Sequence, residues 1–241
     1  MRTALCILAM CGVMLTALAS EMTRFELDFS KGHSAVVSAG QASPLRGNAG
    51  IKDGALRLKA GQAIGLSGAM VPYNPLCYQA KDNLPEFSHG RIVVEFTFLR
   101  LPAQEDCLVS IWGIRRIGRT KVTGFCYMQI KFTNGSATMA YNEFDSNSPA
   151  AKTVRANVPL NSIEIGRRYR TTLKLDGRMR ILEVEGFPPK SGKAPWESLE
   201  FYPGATEIVV GGAYADSGRK VDPQVELLIH RFLVQENVKE E

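Results

Sequence analysis

The feature that most constrains this chain is a repeated period of two in its hydrophobic residues. From Phe25 onward, apolar and polar residues alternate in short runs, and clusters of Gly, Pro, Asn, Asp and Ser separate one run from the next. Such alternation sends successive side chains to opposite faces of an extended strand, and the turn residues between runs reverse the chain. The runs predict strands at Phe25–Phe29, Ala55–Lys59, Ile92–Leu99, Leu108–Ile114, Phe125–Thr133, Ala137–Phe144, Arg168–Leu175, Arg180–Glu185, Glu207–Gly211 and Val225–Val234. No window carries a capped helical stripe. The pattern therefore predicts an all-β chain folded as a sandwich or barrel rather than alternating βαβ units. Gly61–Ser88 and Gly186–Thr206, rich in Pro and Gly, are predicted to be long loops over one edge or mouth. No internal repeat or low-complexity linker interrupts the pattern, so residues 20–241 are expected to form a single domain with a frayed, charged tail after Gln235.

Residues 1–19 read differently. Arg2 precedes a run from Ala4 to Leu18 that is apolar except for Gly12 and Thr16, and Ala17-Leu18-Ala19 places small residues where a signal peptidase cleaves. The run is shorter than the roughly 18 apolar residues of a membrane span. The segment is expected to be a signal peptide removed after Ala19, and the protein to be secreted or periplasmic with no membrane span. Loss of Arg2 takes the formal net charge from +5 to +4. This mild basic bias suits an acidic polysaccharide and, with export, argues against a nucleic-acid partner. Hydrophobic residues at 45% and charged residues at 22% supply a full core. Cys77, Cys107 and Cys126 remain after processing, which allows at most one internal disulfide. No pair has metal-ligand spacing, and alternation makes Cys107 and Cys126 core thiols.

One hairpin can be read in detail. Asp176-Gly177 lies between two alternating runs, the signal of a two-residue type I′ turn. Pairing across it sets Arg170 opposite Glu183, Arg168 opposite Glu185, Tyr169 opposite Val184 and Thr171 opposite Leu182. One face then carries complementary charges and the other is largely apolar, with Arg180 opposite Leu173 as the exception. In this register each of Glu183 and Glu185 has a neutralising arginine, which favours a structural role over a catalytic carboxylate pair.

Several stretches resemble bacterial laminin G-like, concanavalin A-like domains. They are Phe25-Glu26-Leu27-Asp28-Phe29-Ser30, Gly50-Ile51-Lys52-Asp53-Gly54-Ala55-Leu56-Arg57-Leu58, Val94-Glu95-Phe96-Thr97-Phe98, the run from Arg168 to Gly177, and Ile208-Val209-Val210-Gly211-Gly212 followed by a strand through His230-Arg231-Phe232. The resemblance implies a two-sheet antiparallel jelly-roll sandwich with a concave sheet. That superfamily includes lectins, adhesion modules, glycoside hydrolases and polysaccharide lyases, so fold alone does not choose the function. It also implies calcium as a candidate ion, with Asp53, Asp145, Asp216 and Asp222 as loop acids of the right type.

Alternation selects a face for function. Cys126, Met128, Ile130 and Phe132 form a continuous apolar set and point inward, so Tyr127, Gln129 and Lys131 point outward. Likewise Phe96 and Phe98 point in while Glu95 and Thr97 point out, and Val109 and Ile111 point in while Ser110 and Trp112 point out. Tyr141 and Glu143 share a face. If these strands are neighbours, Glu95, Trp112, Tyr127, Gln129, Lys131, Tyr141 and Glu143 form one patch whose aromatic plates, amide, carboxylates and amine suit a glycan. An ordinary polar sheet face is the alternative.

Two enzymatic patterns are incomplete. Glu143-Phe144-Asp145-Ser146-Asn147-Ser148 matches the first two acids of the Glu-x-Asp-x-x-Glu strand of hydrolases on this fold, but Ser148 replaces the last. Gln129-Ile130-Lys131 resembles the Gln-Ile-His strand of jelly-roll alginate lyases with lysine for histidine. Lys131 would then be the base, and Gln129 would neutralise a uronate. His33, His89 and His230 show no ligand spacing, and His230 is expected to be packed and satisfied. The basic run from Arg115 to Lys121 reads as a hairpin tip, either solvated or gripping acidic glycans, and Trp196 as a plug over the sandwich edge. The sequence thus predicts a non-catalytic carbohydrate-binding or adhesion module, with a polysaccharide-degrading enzyme or a protein-interaction module as alternatives.

Overall fold

The computed structural model describes residues 20–31, 41–42, 50–59, 76–80, 88–102, 107–117, 122–133, 136–145, 154–160, 162–194, 206–210, 213–215 and 225–238. Nearly all of them lie in strands. In chain order these are β1 (Ser20–Asp28), β2 (Gln41–Ala42), β3 (Gly50–Lys52), β4 (Ala55–Lys59), β5 (Leu76–Ala80), β6 (His89–Arg100), β7 (Cys107–Ile117) and β8 (Val122–Thr133). They continue as β9 (Ser136–Asp145), β10 (Val154–Pro159), β11 (Arg168–Asp176), β12 (Met179–Val184), β13 (Phe187–Lys193), β14 (Thr206–Val210), β15 (Ala213–Ala215) and β16 (Glu226–Val238). A 3₁₀ turn, Phe29–Lys31, follows β1.

Two antiparallel sheets result. The first runs β13-β12-β11-β6-β16-β4-β3, with β1 also paired to β16; the second runs β10-β9-β8-β7-β14-β5-β2, with β15 also paired to β7. Neighbours distant in sequence, such as β6 beside β16, give the crossing connectivity of a jelly roll. This is the all-β, concanavalin A-like sandwich that the alternation and the resemblance predict. The inner faces meet in one core. Ile92, Val94, Phe96 and Phe98 of β6 face Val109 of β7, Cys126, Met128 and Ile130 of β8, and Met139 of β9, all buried. Phe98 meets Phe132 across the gap with ring centroids 5.7 Å apart. Cys126 is buried in this core. Cys107 is paired in the ladder with Phe132; Cys77 lies in β5.

All ten predicted strands are present, and the sequence reading missed six. The short β2, β3 and β15 carry too few residues to show alternation. β5 and β13 fall inside segments predicted to be loops. β13 contains Pro188 and Pro189, yet it is an edge strand, where a missing N–H donor is tolerated. The sixth, β10 (Val154–Pro159), pairs among the described strands with β9 alone. The tail predicted to fray is paired as far as Val238, opposite Ser20.

The hairpin between β11 and β12 has a register shifted by two from the predicted one. Asp176 pairs with Met179, so Gly177 and Arg178 make the turn, and Thr172 rather than Arg170 lies opposite Glu183. Of the central pair only Gly177 has positive φ, at 54°, where type I′ needs two. Asp176 is drawn into the ladder because β6 lies on its other side, pairing it with His89, and because Gly177 N donates to Ser88 O at 3.0 Å. A shift of two keeps every side chain on its predicted face. Lys174 is the counter-ion of Glu183, at 2.7 Å, in place of Arg170. The type I′ turn occurs at the chain's other described Asp-Gly hairpin, Asp53-Gly54, with φ of 50° and 72° between Lys52 and Ala55.

Candidate functional site

Tyr127, Gln129 and Lys131 of β8 lie half-buried on the outer face of the second sheet, as the alternation predicts. The ladder sets Asn142, Ala140 and Thr138 of β9 opposite them on one side. On the other side it sets Gly113, Ser110 and Leu108 of β7. Successive outward residues on a strand are about 7 Å apart, so Tyr127, Gln129 and Lys131 line a row along the middle of the sheet. Gly113 leaves the tyrosine without a β7 side chain beside it. In register, Arg155 of β10 pairs with Asn142, and Arg115 of β7 pairs with Glu207 of β14.

The other four predicted patch residues lie elsewhere. Trp112 is fully buried between the sheets, against Tyr141 and Phe232 at 6.3 and 5.8 Å between ring centroids. The prediction fails because β7 has a bulge: Ser110 pairs with Gln129 but Trp112 pairs with Met128, leaving Ile111 as an extra residue. One inserted residue reverses alternation, so Trp112 turns inward where strict period two puts it outward. Tyr141 and Glu143 do share a face, but it is the inner one, because Tyr141 is paired with the core residue Met128. Glu95 belongs to the first sheet, where it is ion-paired with Arg168 on the opposite side of the molecule.

Glu143 is instead the centre of an ionic cluster that bridges the sheets. Arg180 of β12, 0% exposed, donates from Nε to Glu143 Oε2 at 2.8 Å and from Nη2 to Oε1 at 3.3 Å. Its Nη1 donates to Gly177 O at 2.5 Å. Tyr141 Oη donates to Glu143 Oε2 at 2.8 Å. Burial first, then the adjacent Glu143 charge, pushes the Tyr141 phenol well above its ordinary value, so it stays a neutral donor. Burial alone would lower the Arg180 pKa, but hydrogen bonding and charge from Glu143 outweigh it and leave the guanidinium raised. Glu143 is therefore a structural counter-ion facing away from the outer surface. A retaining hydrolase needs paired carboxylates at the scissile bond, and this acid does not supply one of them there. Asp145's side chain and Ser148 lie outside the described residues.

Asn142, between Tyr141 and Glu143, is the outward residue the sequence reading missed. It is 6% exposed, and its Nδ2 has no hydrogen-bond partner. Continuing the inward series Ala137, Met139, Tyr141 along β9 was the signal that identifies it. His230 of β16 sits at a second bulge, between Ile229 and Arg231, so it faces away from Phe232. Its Nε2 is 2.9 Å from Thr97 Oγ1, a satisfied histidine as predicted. Burial, then the Arg168 charge, lowers its pKa, while Glu95 opposes the shift.

No cluster of three His, Cys, Asp or Glu able to hold a metal occurs among the described residues. Of the loop acids weighed for calcium, Asp53 is an exposed residue of the turn between β3 and β4, and the Asp145 side chain, Asp216 and Asp222 lie outside the described residues. So do His33, Trp196, residues 1–19 and the tip of the basic hairpin.

No family model matches the chain, and no curated protein does. Solved structures share its fold. SCLam, a non-specific endo-β-1,3(4)-glucanase from family GH16, aligns with a TM-score of 0.54 at 10% identity over 90% of this chain and 91% of its own. A β-1,3-1,4-glucanase (lichenase) from a mouse hindgut metagenome gives 0.52 at 11% over 89% and 99%. The κ-carrageenase of Pseudoalteromonas carrageenovora, solved with a κ-carrageenan oligotetrasaccharide, gives 0.53 at 10% over 95% and 100%. At these identities the likeness is one of fold.

Proposed function

We propose that this chain is an exported protein that binds an acidic polysaccharide along the outer face of the second sheet. The observation that carries the reading is the Tyr127-Gln129-Lys131 row. A phenol plate, an amide and a cation are presented together on this one face. A polyanion suits such a face, and stacking on the phenol with hydrogen bonds from the amide suits sugar rings. The fold neighbours, whose names describe polysaccharide-degrading enzymes, support a carbohydrate ligand. Residues 1–19 are read as the signal peptide, and residues 20–241 as a single domain delivered to the periplasm or beyond.

A second reading is a polysaccharide lyase. The neighbours favour an enzyme, and on the outer row Gln129 sits between two proton-transfer groups, Tyr127 and Lys131. Elimination would take the proton beside a uronate carboxylate, expel the glycosidic oxygen with a proton returned to it, and leave a carbon–carbon double bond, with Gln129 bonded to the carboxylate. Affinity electrophoresis of the mature protein through polygalacturonate, dextran sulfate and dextran, with the polymer sized afterwards, separates the readings. Retardation without shortening is expected for a binder, and shortening with an unsaturated end for a lyase. Passage through every gel unretarded overturns both. Tyr127→Ala is expected to weaken retention about tenfold, as loss of a stacked aromatic does.

A further inference from the structure

We infer that the Asn142 carboxamide is a ligand-reading donor of this face, held without a partner so that an acceptor oxygen of the polysaccharide can supply one. The inference rests on the polysaccharide reading above and adds a specificity residue to it. Buried amides are ordinarily hydrogen-bonded, and a buried donor left unmade costs stability. Asn142 breaks that rule at 6% exposure, with Nδ2 unpaired. It does so on the outer face, directly opposite Tyr127 on one side and Arg155 on the other.

The backbone around it is fixed from behind. Its neighbours Tyr141 and Glu143 are both anchored in the buried cluster with Arg180. Asn142 is thus a short, rigidly based donor beside an aromatic plate. That chemistry recognises a carboxylate or hydroxyl oxygen of a sugar stacked on Tyr127. A residue kept for binding at the expense of the free protein behaves differently from one kept for packing.

The test compares wild type, Asn142→Ala and Tyr127→Ala in retention by polygalacturonate and by dextran, alongside the melting temperature of each free protein. Asn142→Ala is expected to weaken polygalacturonate retention about tenfold, one hydrogen bond's worth, with its melting temperature unchanged or raised. Asn142→Asp, of the same shape but with an acceptor where the donor stood, is expected to weaken it further. Unchanged retention in Asn142→Ala, with retention lost in Tyr127→Ala, overturns the role of Asn142 and leaves the face standing. A lowered melting temperature with unchanged retention makes Asn142 a packing residue. Wild type unretained by either polymer overturns the face and this inference together.

Discussion

A guanidinium carried into the core of a β-sandwich must find a counter-ion there, and Arg180 finds Glu143 across the gap between the sheets. Removing one member of such a pair strands the other as an uncompensated buried charge. Arg180→Met and Glu143→Leu are each expected to lower unfolding free energy by about 3–5 kcal/mol. The double variant should lose much less than the sum, because no charge is then stranded; urea unfolding of all four proteins measures the coupling. His230 offers a pH readout on the opposite sheet. Its pKa is lowered from 6.5 in the fold, so the unfolded chain binds the proton more readily. The contribution of the neutral ring is present above about pH 6.5 and is lost as pH falls toward the folded pKa. Melting temperatures between about pH 8 and about pH 5 should fall less in His230→Gln than in wild type. Equal slopes would remove His230 from the account.

At the scale of strands, two glycines separate turn geometry from close packing. Gly177 has open space where a Cβ would sit but has positive φ, so Gly177→Ala should cost only the left-handed strain, about 1 kcal/mol. Gly90 is different. A Cβ there would lie 2.2 Å from Gln235 O, a backbone atom of β16, so β6 and β16 would have to separate. Gly90→Ala should cost about 3 kcal/mol or more, and thermal unfolding of the two variants checks the contrast. The same elements show what a sequence makes legible. Strands such as β8 announce themselves because Cys126, Met128, Ile130 and Phe132 keep strict period two. Faces follow from that rhythm until something breaks it, and at Ile111 a break of one residue carried Trp112 to the wrong side of the prediction. The inward turn of β9 was written in Met139 beside Tyr141, whereas the partner of Arg180 was not, since Glu143 belongs to the other sheet and no local pattern joins them. Asp-Gly marked the hairpin at Asp176-Gly177, but only the tertiary neighbour β6 fixed its register.

At the scale of the whole molecule, the described ion pairs gather on one outer face. The first sheet's is laced with ion pairs: Arg24–Glu236, Arg57–Glu226, Arg91–Glu21, Arg168–Glu95, Lys174–Glu183 and Arg231–Glu26. Partly exposed pairs of this kind contribute little each and leave that face close to neutral. The second sheet's outer face presents the cation Lys131 in the row proposed to bind a polyanion. Added salt should therefore shorten retention by polygalacturonate steeply while moving the melting temperature little, since the Debye length shrinks to about 3 Å at 1 M. Retention indifferent to salt would argue against a charged ligand.

The bulge in β7 bears on how a sandwich like this can change over generations. Deleting Ile111 alone would restore strict alternation and leave Trp112 opposite Met128, its indole still in the core. Substitutions adjust such a surface one side chain at a time. A single-codon insertion or deletion need not exchange inside for outside along the rest of a strand, because a bulge absorbs the extra residue, so the inner and outer faces of this architecture can outlast indels as well as point mutation.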